Sequence, residues 1–119
     1  MINQKKLIRG SIWLVDLNPT LGHEQAKKRP CLVISATSYN QGPSGLVTIM
    51  PITSKHRELF WQVPISQAES GLKDKSYIIC DQIRTVSTQR FSSNCLGVVS
   101  DFIFEQVEER LKILFFLMP

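Results

Sequence analysis

Short runs of apolar and β-branched residues, separated by turn-forming residues, occupy most of the chain before position 100. Between Ser11 and Leu17 the side chains alternate between two faces, as they would in a strand that enters a core. Turn signals such as Asn18-Pro19 and the 41–45 cluster follow such runs. The further predicted strands span residues 30–35, 45–52, 60–65, 76–83 and 95–99. The pattern predicts a mainly β chain.

One helix is predicted at the C-terminal end of the chain. Ser100 or Asp101 can cap its first turn. An apolar stripe follows at spacings of four, four and three residues, and consists of Ile103, Val107, Leu111 and Leu114. The apolar residues 113–118 are predicted to be the packed end of this helix, because they fall short of the roughly 20 residues that span a bilayer. We therefore expect a small, strongly bent sheet or barrel with the helix packed against it.

The length of 119 residues fits one domain, which we assign to residues 1–119. The three cysteines show no C-x-x-C spacing and lie in apolar runs, where cysteine usually behaves as a small buried hydrophobe. A disulfide framework or a zinc site is therefore not expected, and a reducing cytoplasm is the predicted compartment. The apolar run after the basic residues 1–10 is too short for a signal peptide, so no targeting or membrane segment is expected.

The net charge of +4 is unevenly distributed along the chain. Six basic residues and two acids precede Ala36, whereas the remainder carries eight of each. A local basic surface attracts phosphates and speeds the encounter with nucleic acid. Charge alone leaves two alternatives equally open, namely a nucleic-acid-binding surface and a solvated face with no partner.

The segment 18–30 is the most unusual part of the sequence, because it combines turn formers, a histidine, a carboxylate and a basic cluster directly before a buried strand. Pro30 biases Arg29 to an extended backbone, and a guanidinium fixed in this way can grip a phosphate with two parallel hydrogen bonds. His23 can donate or accept a proton near neutral pH. The alternatives are a surface arginine at a strand start and a loop histidine without a role.

Polar residues also occupy the ends of two later strands. Thr53 and Ser54 end one strand in hydroxyls, which can donate to a phosphate oxygen or simply cap the strand. Asp81 and Gln82 follow another strand. Asp81 could orient a basic partner or accept a hydrogen bond from a base edge, and the alternative is a structural ion pair with Arg84.

Several well-known catalytic patterns are missing from the sequence. It contains no glycine-rich phosphate loop, no H-E-x-x-H and no G-x-S-x-G. Too few paired carboxylates lie near a histidine to indicate a two-metal nuclease. The second histidine, His56, belongs to a charged stretch at 55–58 that is predicted to be a surface turn. No metal and no cofactor are expected.

Four motifs follow one another in the order of a known family. RGSIWLVDLNPTLGHEQ at 9–25 and KRPCLVIS at 28–35 strongly resemble the opening of the MazF/PemK (Kid-like) toxin family. PITS at 51–54 and DQIRT at 81–85 resemble its two later motifs, at the expected order and spacing. The resemblance covers essentially the whole chain, including the terminal helix.

This resemblance implies a fold and an activity. The fold would be an SH3-like small barrel with an appended helix, of the type shared by CcdB and PemK toxins, and the protein would form a homodimer. The activity would be metal-independent cleavage of single-stranded RNA, including mRNA, within a sequence motif, which leaves a 2′,3′-cyclic phosphate and a 5′-hydroxyl. Such a toxin inhibits translation in the cytoplasm and is neutralised by a cognate antitoxin protein.

The resemblance also implies site residues. Arg29 and Thr53 match the most general active pair, and His23 matches a position used for acid–base work in PemK-like members. Since an arginine with a pKa above about 12 is a poor base, we favour charge stabilisation for Arg29. Ile79 stands where some PemK-like members carry an arginine proposed as an acid, so the assignment of base and acid stays open. The predicted substrate-binding residues are Glu24, Gln25, Lys28, Ser54, Asp81 and Gln82.

Two other functions remain open from the sequence. A CcdB-like poison of DNA gyrase would share the fold but would need no RNA-cleaving loop. A non-catalytic RNA-binding module of SH3-like form would need the basic surface but not the threonine at position 53. The motifs around Arg29 and His23 favour the ribonuclease.

Overall fold

The computed structural model describes residues 6–17 and 28–116. Its seven strands are β1 (Ser11–Asp16), β2 (Lys28–Val33), β3 (Leu46–Thr53), β4 (Gln62–Ile65), β5 (Ser76–Ile79), β6 (Arg84–Ser87) and β7 (Phe91–Val98). Its helices are α1 (Thr37–Asn40), α2 (Gln67–Ser70) and α3 (Asp101–Leu114). The prediction of a mainly β chain with a C-terminal helix is confirmed.

The strands form one antiparallel sheet in the order β4-β5-β3-β2-β1-β7, and β6 pairs with β3 outside this path. The long strand β3 is the centre of the sheet and explains its bend. Residues 46–49 of β3 pair with β6, whereas Ile52 and Thr53 pair with β5. Among the described strands, no pairing joins β4 to β7, so the small barrel-like sheet is strongly bent but not closed.

Two hydrophobic clusters lie on the two faces of this sheet. Because side chains alternate along a strand, neighbouring residues such as Ile12 and Trp13 belong to different clusters. The cluster that contains Ile12 also receives Ile103, Phe104 and other side chains of α3. Burial on both faces explains why the sequence shows continuous apolar runs along β2 and β3.

One of the two residues predicted as N-caps does cap the first turn of helix α3. The Ser100 hydroxyl accepts a hydrogen bond from the Ile103 backbone N–H at 3.3 Å, so Ser100 rather than Asp101 is the cap. The prediction that the apolar tail packs on the core is wrong for its described part. The helix ends at Leu114, and Phe116 then has a φ of 60°, which turns the chain and leaves this side chain 90% exposed.

The boundaries of the later strands differ from the prediction. The strand expected at 76–83 ends at Ile79, and residues 84–87 form the separate strand β6. Strand β7 begins at Phe91 rather than at Cys95, because the polar, largely exposed residues 92–94 lie on an edge strand and give no apolar signal. None of the helices among the described residues has the length and apolar content needed to span a bilayer.

Candidate active site

Arg29 and Thr53 approach each other at the ends of two paired strands. Strands β2 and β3 pair with Cys31 opposite Pro51. Continued by two residues, this register places Arg29 opposite Thr53, and the alternation of side chains puts both on the same face. Both residues line the same two cavities. We call the two residues together the Arg29–Thr53 rim.

The first cavity, which we call the aromatic groove, has a volume of about 490 Å³. Its apolar wall includes Trp61 and Ile79, and Asp81 and Gln82 also line it. Three cations line the groove as well, namely Arg29, Lys55 and Arg57. A groove with an aromatic wall and several cations suits a nucleotide, because the ring can stack on a base while the cations face the phosphates.

The second cavity, which we call the basic groove, has a volume of about 510 Å³. Its lining shares Arg29, Thr53 and Lys55 with the aromatic groove. It adds the predicted substrate-binding residues Lys28 and Ser54. Its polar lining therefore consists mainly of cations and hydroxyl groups, which are donors toward an anion.

The hydroxyl group of Thr53 is oriented by its own chain. The Lys55 backbone N–H donates to the Thr53 Oγ1 at 3.1 Å. Within the described residues the Thr53 hydroxyl donates to no acceptor, so its hydrogen can be directed toward a bound group. A threonine that already accepts one hydrogen bond is thus prepared to donate to a phosphate oxygen beside Arg29.

The turn after β3 carries two of the groove cations and is held in place by Gln62. The Oε1 of Gln62 accepts a hydrogen bond from the Arg57 backbone N–H at 2.8 Å, and its Nε2 donates to the Lys55 carbonyl at 3.2 Å. Gln62 therefore fixes the backbone on both sides of the exposed His56. These two hydrogen bonds hold the backbone that carries Lys55 and Arg57 beside the groove.

Three ring contacts pack around this segment and the residues that follow it. His56 stacks on Tyr77 of β5 with a ring separation of 4.7 Å and an interplanar angle of 12°. At the other end, the Arg110 Nε of α3 donates to the Phe60 carbonyl at 2.9 Å, and its guanidinium lies over the Phe60 ring. Phe60 in turn meets Trp61 edge-on at 5.2 Å. The charged stretch 55–58 is exposed, as predicted, and His56 contacts Tyr77 and lines neither groove.

Burial makes two of the cysteine thiols poor nucleophiles. Burial raises the pKa of Cys31 to about 12, although the nearby cations of Arg29 and Arg84 favour its thiolate. Burial likewise raises the pKa of Cys80 to about 12. All three cysteines are free, and Cys31 and Cys80 are buried as expected, whereas Cys95 lies exposed on the edge strand β7. We assign no chemistry to Cys31 or Cys80, because the thiolate is the reactive form.

The structure brings all six of the described candidate residues together at the two grooves. The predicted site residues that line at least one of the two grooves are Arg29, Thr53, Asp81, Gln82, Lys28 and Ser54. His23, Glu24 and Gln25 lie outside the described residues. The alternative of an ion pair between Asp81 and Arg84 is wrong, since no such pair joins these two described residues. Across 6–17 and 28–116, no group of three His, Cys, Asp or Glu side chains could hold a metal ion.

Sequence reasoning missed the three groove residues Lys55, Arg57 and Trp61. The charged stretch 55–58 directly follows the hydroxyls of Thr53 and Ser54, and this adjacency is the signal that could have revealed the two cations. Trp61 gives no such signal, because an aromatic residue at the start of an apolar run is usually part of the core.

Comparison with known proteins identifies the relatives of this chain. Residues 8–115 match the family model described as PemK-like, MazF-like toxin of type II toxin-antitoxin system. The chain is 35% identical over 111 residues to the endoribonuclease MazF9 of Mycobacterium tuberculosis, an alignment that covers 88% of this chain and 92% of the relative. It is 33% identical over 106 residues to the endoribonuclease PemK of Escherichia coli, with 87% and 77% covered.

Solved structures show the same fold. The MazE–MazF complex of Deinococcus radiodurans superposes with a TM-score of 0.79 at 25% sequence identity, over 93% of this chain and 96% of that chain. A mycobacterial endoribonuclease in complex with its cognate antitoxin superposes with a TM-score of 0.76 at 20% identity, over 94% and 97%. The bent sheet with a C-terminal helix is therefore the architecture of these proteins.

Proposed function

The chain belongs to the PemK-like, MazF-like toxins of type II toxin–antitoxin systems and is an endoribonuclease, and we propose that it cuts single-stranded RNA within a sequence motif at the Arg29–Thr53 rim. The observation that carries this proposal is the shared lining, since Arg29 and Thr53 border both grooves. The named activity of the relatives favours this function over a gyrase poison or a non-cleaving RNA-binding module.

The proposed reaction needs no metal. The 2′-hydroxyl of one nucleotide loses its proton to a base and attacks the adjacent phosphorus, so that a 2′-O–P bond forms. The P–O5′ bond then breaks, and the leaving oxygen takes a proton from an acid, which gives a 2′,3′-cyclic phosphate and a 5′-hydroxyl. Arg29 and the Thr53 hydroxyl stabilise the additional negative charge on the phosphorane, because both are donors that line the same two grooves.

Purified protein incubated with labelled RNA in EDTA tests this function. We expect cleavage at a recurring motif, and we expect fragments that carry cyclic phosphates at one end and 5′-hydroxyls at the other. Adding a complementary strand should protect the site if single-stranded RNA is the substrate. Complete inhibition by EDTA that added metal reverses would contradict the proposed chemistry, and intact RNA under all conditions would contradict the function.

His23 is the proposed proton-transfer residue, on the family resemblance and on the suitability of imidazole near neutral pH. We expect His23→Gln to lower the maximal cleavage rate and to flatten the pH profile between about pH 5 and 8, where an unperturbed histidine titrates. The measurement is the rate at saturating RNA across this pH range. A variant that binds RNA more weakly but keeps the wild-type pH profile would show that His23 only contacts the substrate.

As a member of a toxin–antitoxin family, the protein has a cognate antitoxin as its partner. We further propose that residues 1–119 act as one domain and form a homodimer in the cytoplasm. Exposed apolar side chains at both ends of α3 support the dimer, since Phe102 and Phe116 are 70% and 90% exposed in the single chain. The free cysteines fit a reducing compartment. Light scattering that gives a monomer mass at every concentration would contradict the dimer.

A further inference from the structure

We propose that the basic groove is a second RNA subsite, which holds a phosphate next to the cleaved linkage and uses Lys73 as its own cation. This inference rests on the proposed function and adds to it the path of the RNA strand across the site. The strand would cross the Arg29–Thr53 rim with a base in the aromatic groove on one side and its neighbouring backbone in the basic groove on the other.

The two grooves differ in the chemistry that they offer. Trp61 and Ile79 line only the aromatic groove, whereas Lys28, Ser54 and Lys73 line only the basic groove. A base needs a flat apolar partner, and a phosphate needs cations and hydroxyl donors. Both volumes fall in the range of roughly 300–1,000 Å³ that is usual for ligand sites. The contrast assigns the base to one groove and the phosphate to the other.

Charge supports the same assignment for the basic groove. Four cations line it, namely Lys28, Arg29, Lys55 and Lys73, and Asp74 is the one acid among its described lining residues. Such an excess of positive charge beside a reaction centre attracts the polyanionic strand and weakens with added salt. Arg29 and Lys55 also line the aromatic groove, and Lys28 adjoins Arg29 in the chain, so Lys73 is the cation that reports on the basic groove away from the rim.

The loop that carries Lys73 is built from hydrogen bonds to its backbone. The Ser70 hydroxyl accepts from the Leu72 N–H at 3.0 Å, and the Gln67 side-chain amide donates to the carbonyl of Lys73 itself. The Ser76 hydroxyl donates to the Asp74 carbonyl at 3.0 Å. The position of Lys73 along the groove is thus fixed by contacts on both of its sides.

Gly71 anchors the same loop to the sheet. It ends α2 with a φ of 69°, a left-handed conformation that suits glycine. A Cβ atom at this position would lie only 1.8 Å from the Leu96 carbonyl oxygen of β7, so the loop packs directly on the backbone of that strand. A lysine on so closely packed a loop loses less conformational freedom on binding than one on an open loop.

Lys73→Ala and Lys75→Ala form the matched pair that tests the subsite, because Lys75 is an exposed lysine two positions away that lines neither groove. Binding would be measured by fluorescence anisotropy across a salt series. The probe is a 2′-O-methyl RNA, which cannot form the cyclic product. The probe carries the cleavage sequence mapped with the wild-type protein. If the wild-type protein cleaves no RNA, the probe has a mixed sequence.

We expect Lys73→Ala to weaken RNA binding and to reduce the slope of log K against log salt by about 0.7, the value for one phosphate contact on a single strand. In cleavage assays Lys73→Ala should raise KM by a larger factor than it lowers kcat. Lys75→Ala should retain the wild-type salt slope. Shortening the RNA from the end that occupies the basic groove should abolish the difference between wild type and Lys73→Ala.

Three outcomes would overturn the subsite. In the first, Lys73→Ala keeps the wild-type affinity and salt slope. In the second, Lys75→Ala loses as much RNA affinity as Lys73→Ala, which would indicate general electrostatic attraction without a site. Lys73→Ala could instead weaken binding of the antitoxin and leave RNA binding unchanged, so that the groove would belong to the protein partner. Failure of the proposed function is separate, because it appears as intact RNA with the wild-type protein.

Discussion

Replacement of Arg29 by alanine is expected to lower the rate of RNA cleavage on the order of a hundredfold or more, the usual cost of removing one donor that stabilises transition-state charge. Arg29 lies on the rim between the two grooves, opposite Thr53 in the continued register of β2 and β3. The phosphorane carries more negative charge than the substrate phosphate, so the loss should appear in the rate at saturating RNA and not only in binding.

Two neighbouring variants control this experiment. Arg29→Lys keeps the charge but loses the paired donors, and it should recover only part of the activity. Lys28→Ala removes the adjacent cation from the basic groove and should act mainly on KM. Thermal unfolding should show little change for Arg29→Ala, because the side chain is exposed. A folded Arg29→Ala protein with wild-type activity would refute the assignment of Arg29.

The core strands could be predicted from the sequence for a clear physical reason. Strands β2 and β3 are buried on both faces, so nearly every residue between Cys31 and Val33, and between Val47 and Ile52, is apolar or part of the core. The edge strand β7 lacks this signal. The first half of β7 is stabilised by its pairing with β1, in which Phe91 lies opposite Val15. Its sequence shows no apolar periodicity. The start of β7 is therefore set by its pairing with β1, which the local apolar pattern cannot predict.

The candidate site was only partly visible in the sequence. Arg29 and Thr53 stand out because polar residues adjoin buried strands, and the structure places them on one rim. Lys55, Arg57 and Lys73 were hidden, because the chain after Ser35 has as many acids as bases. In space these charges separate. Three of the acids after Ser35, namely Asp101, Glu105 and Glu108, border a different concavity together with Arg9.

This separation changes the meaning of the charge pattern. The sequence placed all net positive charge before Ala36, yet the grooves combine Lys28 and Arg29 from that part with cations from two later loops. A net charge of zero along a segment is a sum, whereas the field at a surface depends on which residues the fold turns toward it. The basic surface is thus a property of the folded sheet and not of one segment.

Replacement of Thr53 by valine is the second change expected to have a large effect, with a loss of cleavage rate of roughly 10²–10³-fold. Valine has nearly the same shape but removes the hydroxyl that donates to the developing charge. It also removes the oxygen that accepts from the Lys55 N–H, so the turn that presents Lys55 and Arg57 loses one of its anchors. The cost in the free energy of unfolding should be only about 1 kcal/mol, the usual value for one hydrogen bond.

Thr53→Ser and Ser54→Ala separate catalysis from structure. Serine restores both the donor and the acceptor, so Thr53→Ser should recover most of the activity. Ser54 lines only the basic groove, so Ser54→Ala should affect RNA binding more than the rate at saturation. The measurement is single-turnover cleavage of one labelled RNA by all three variants, with thermal unfolding as the check of folding. If Thr53→Val cleaves at the wild-type rate, or if Thr53→Ser is as slow as Thr53→Val, the hydroxyl does not stabilise the transition state. The charge on the phosphorane would then be left to Arg29 and the other cations of the two grooves.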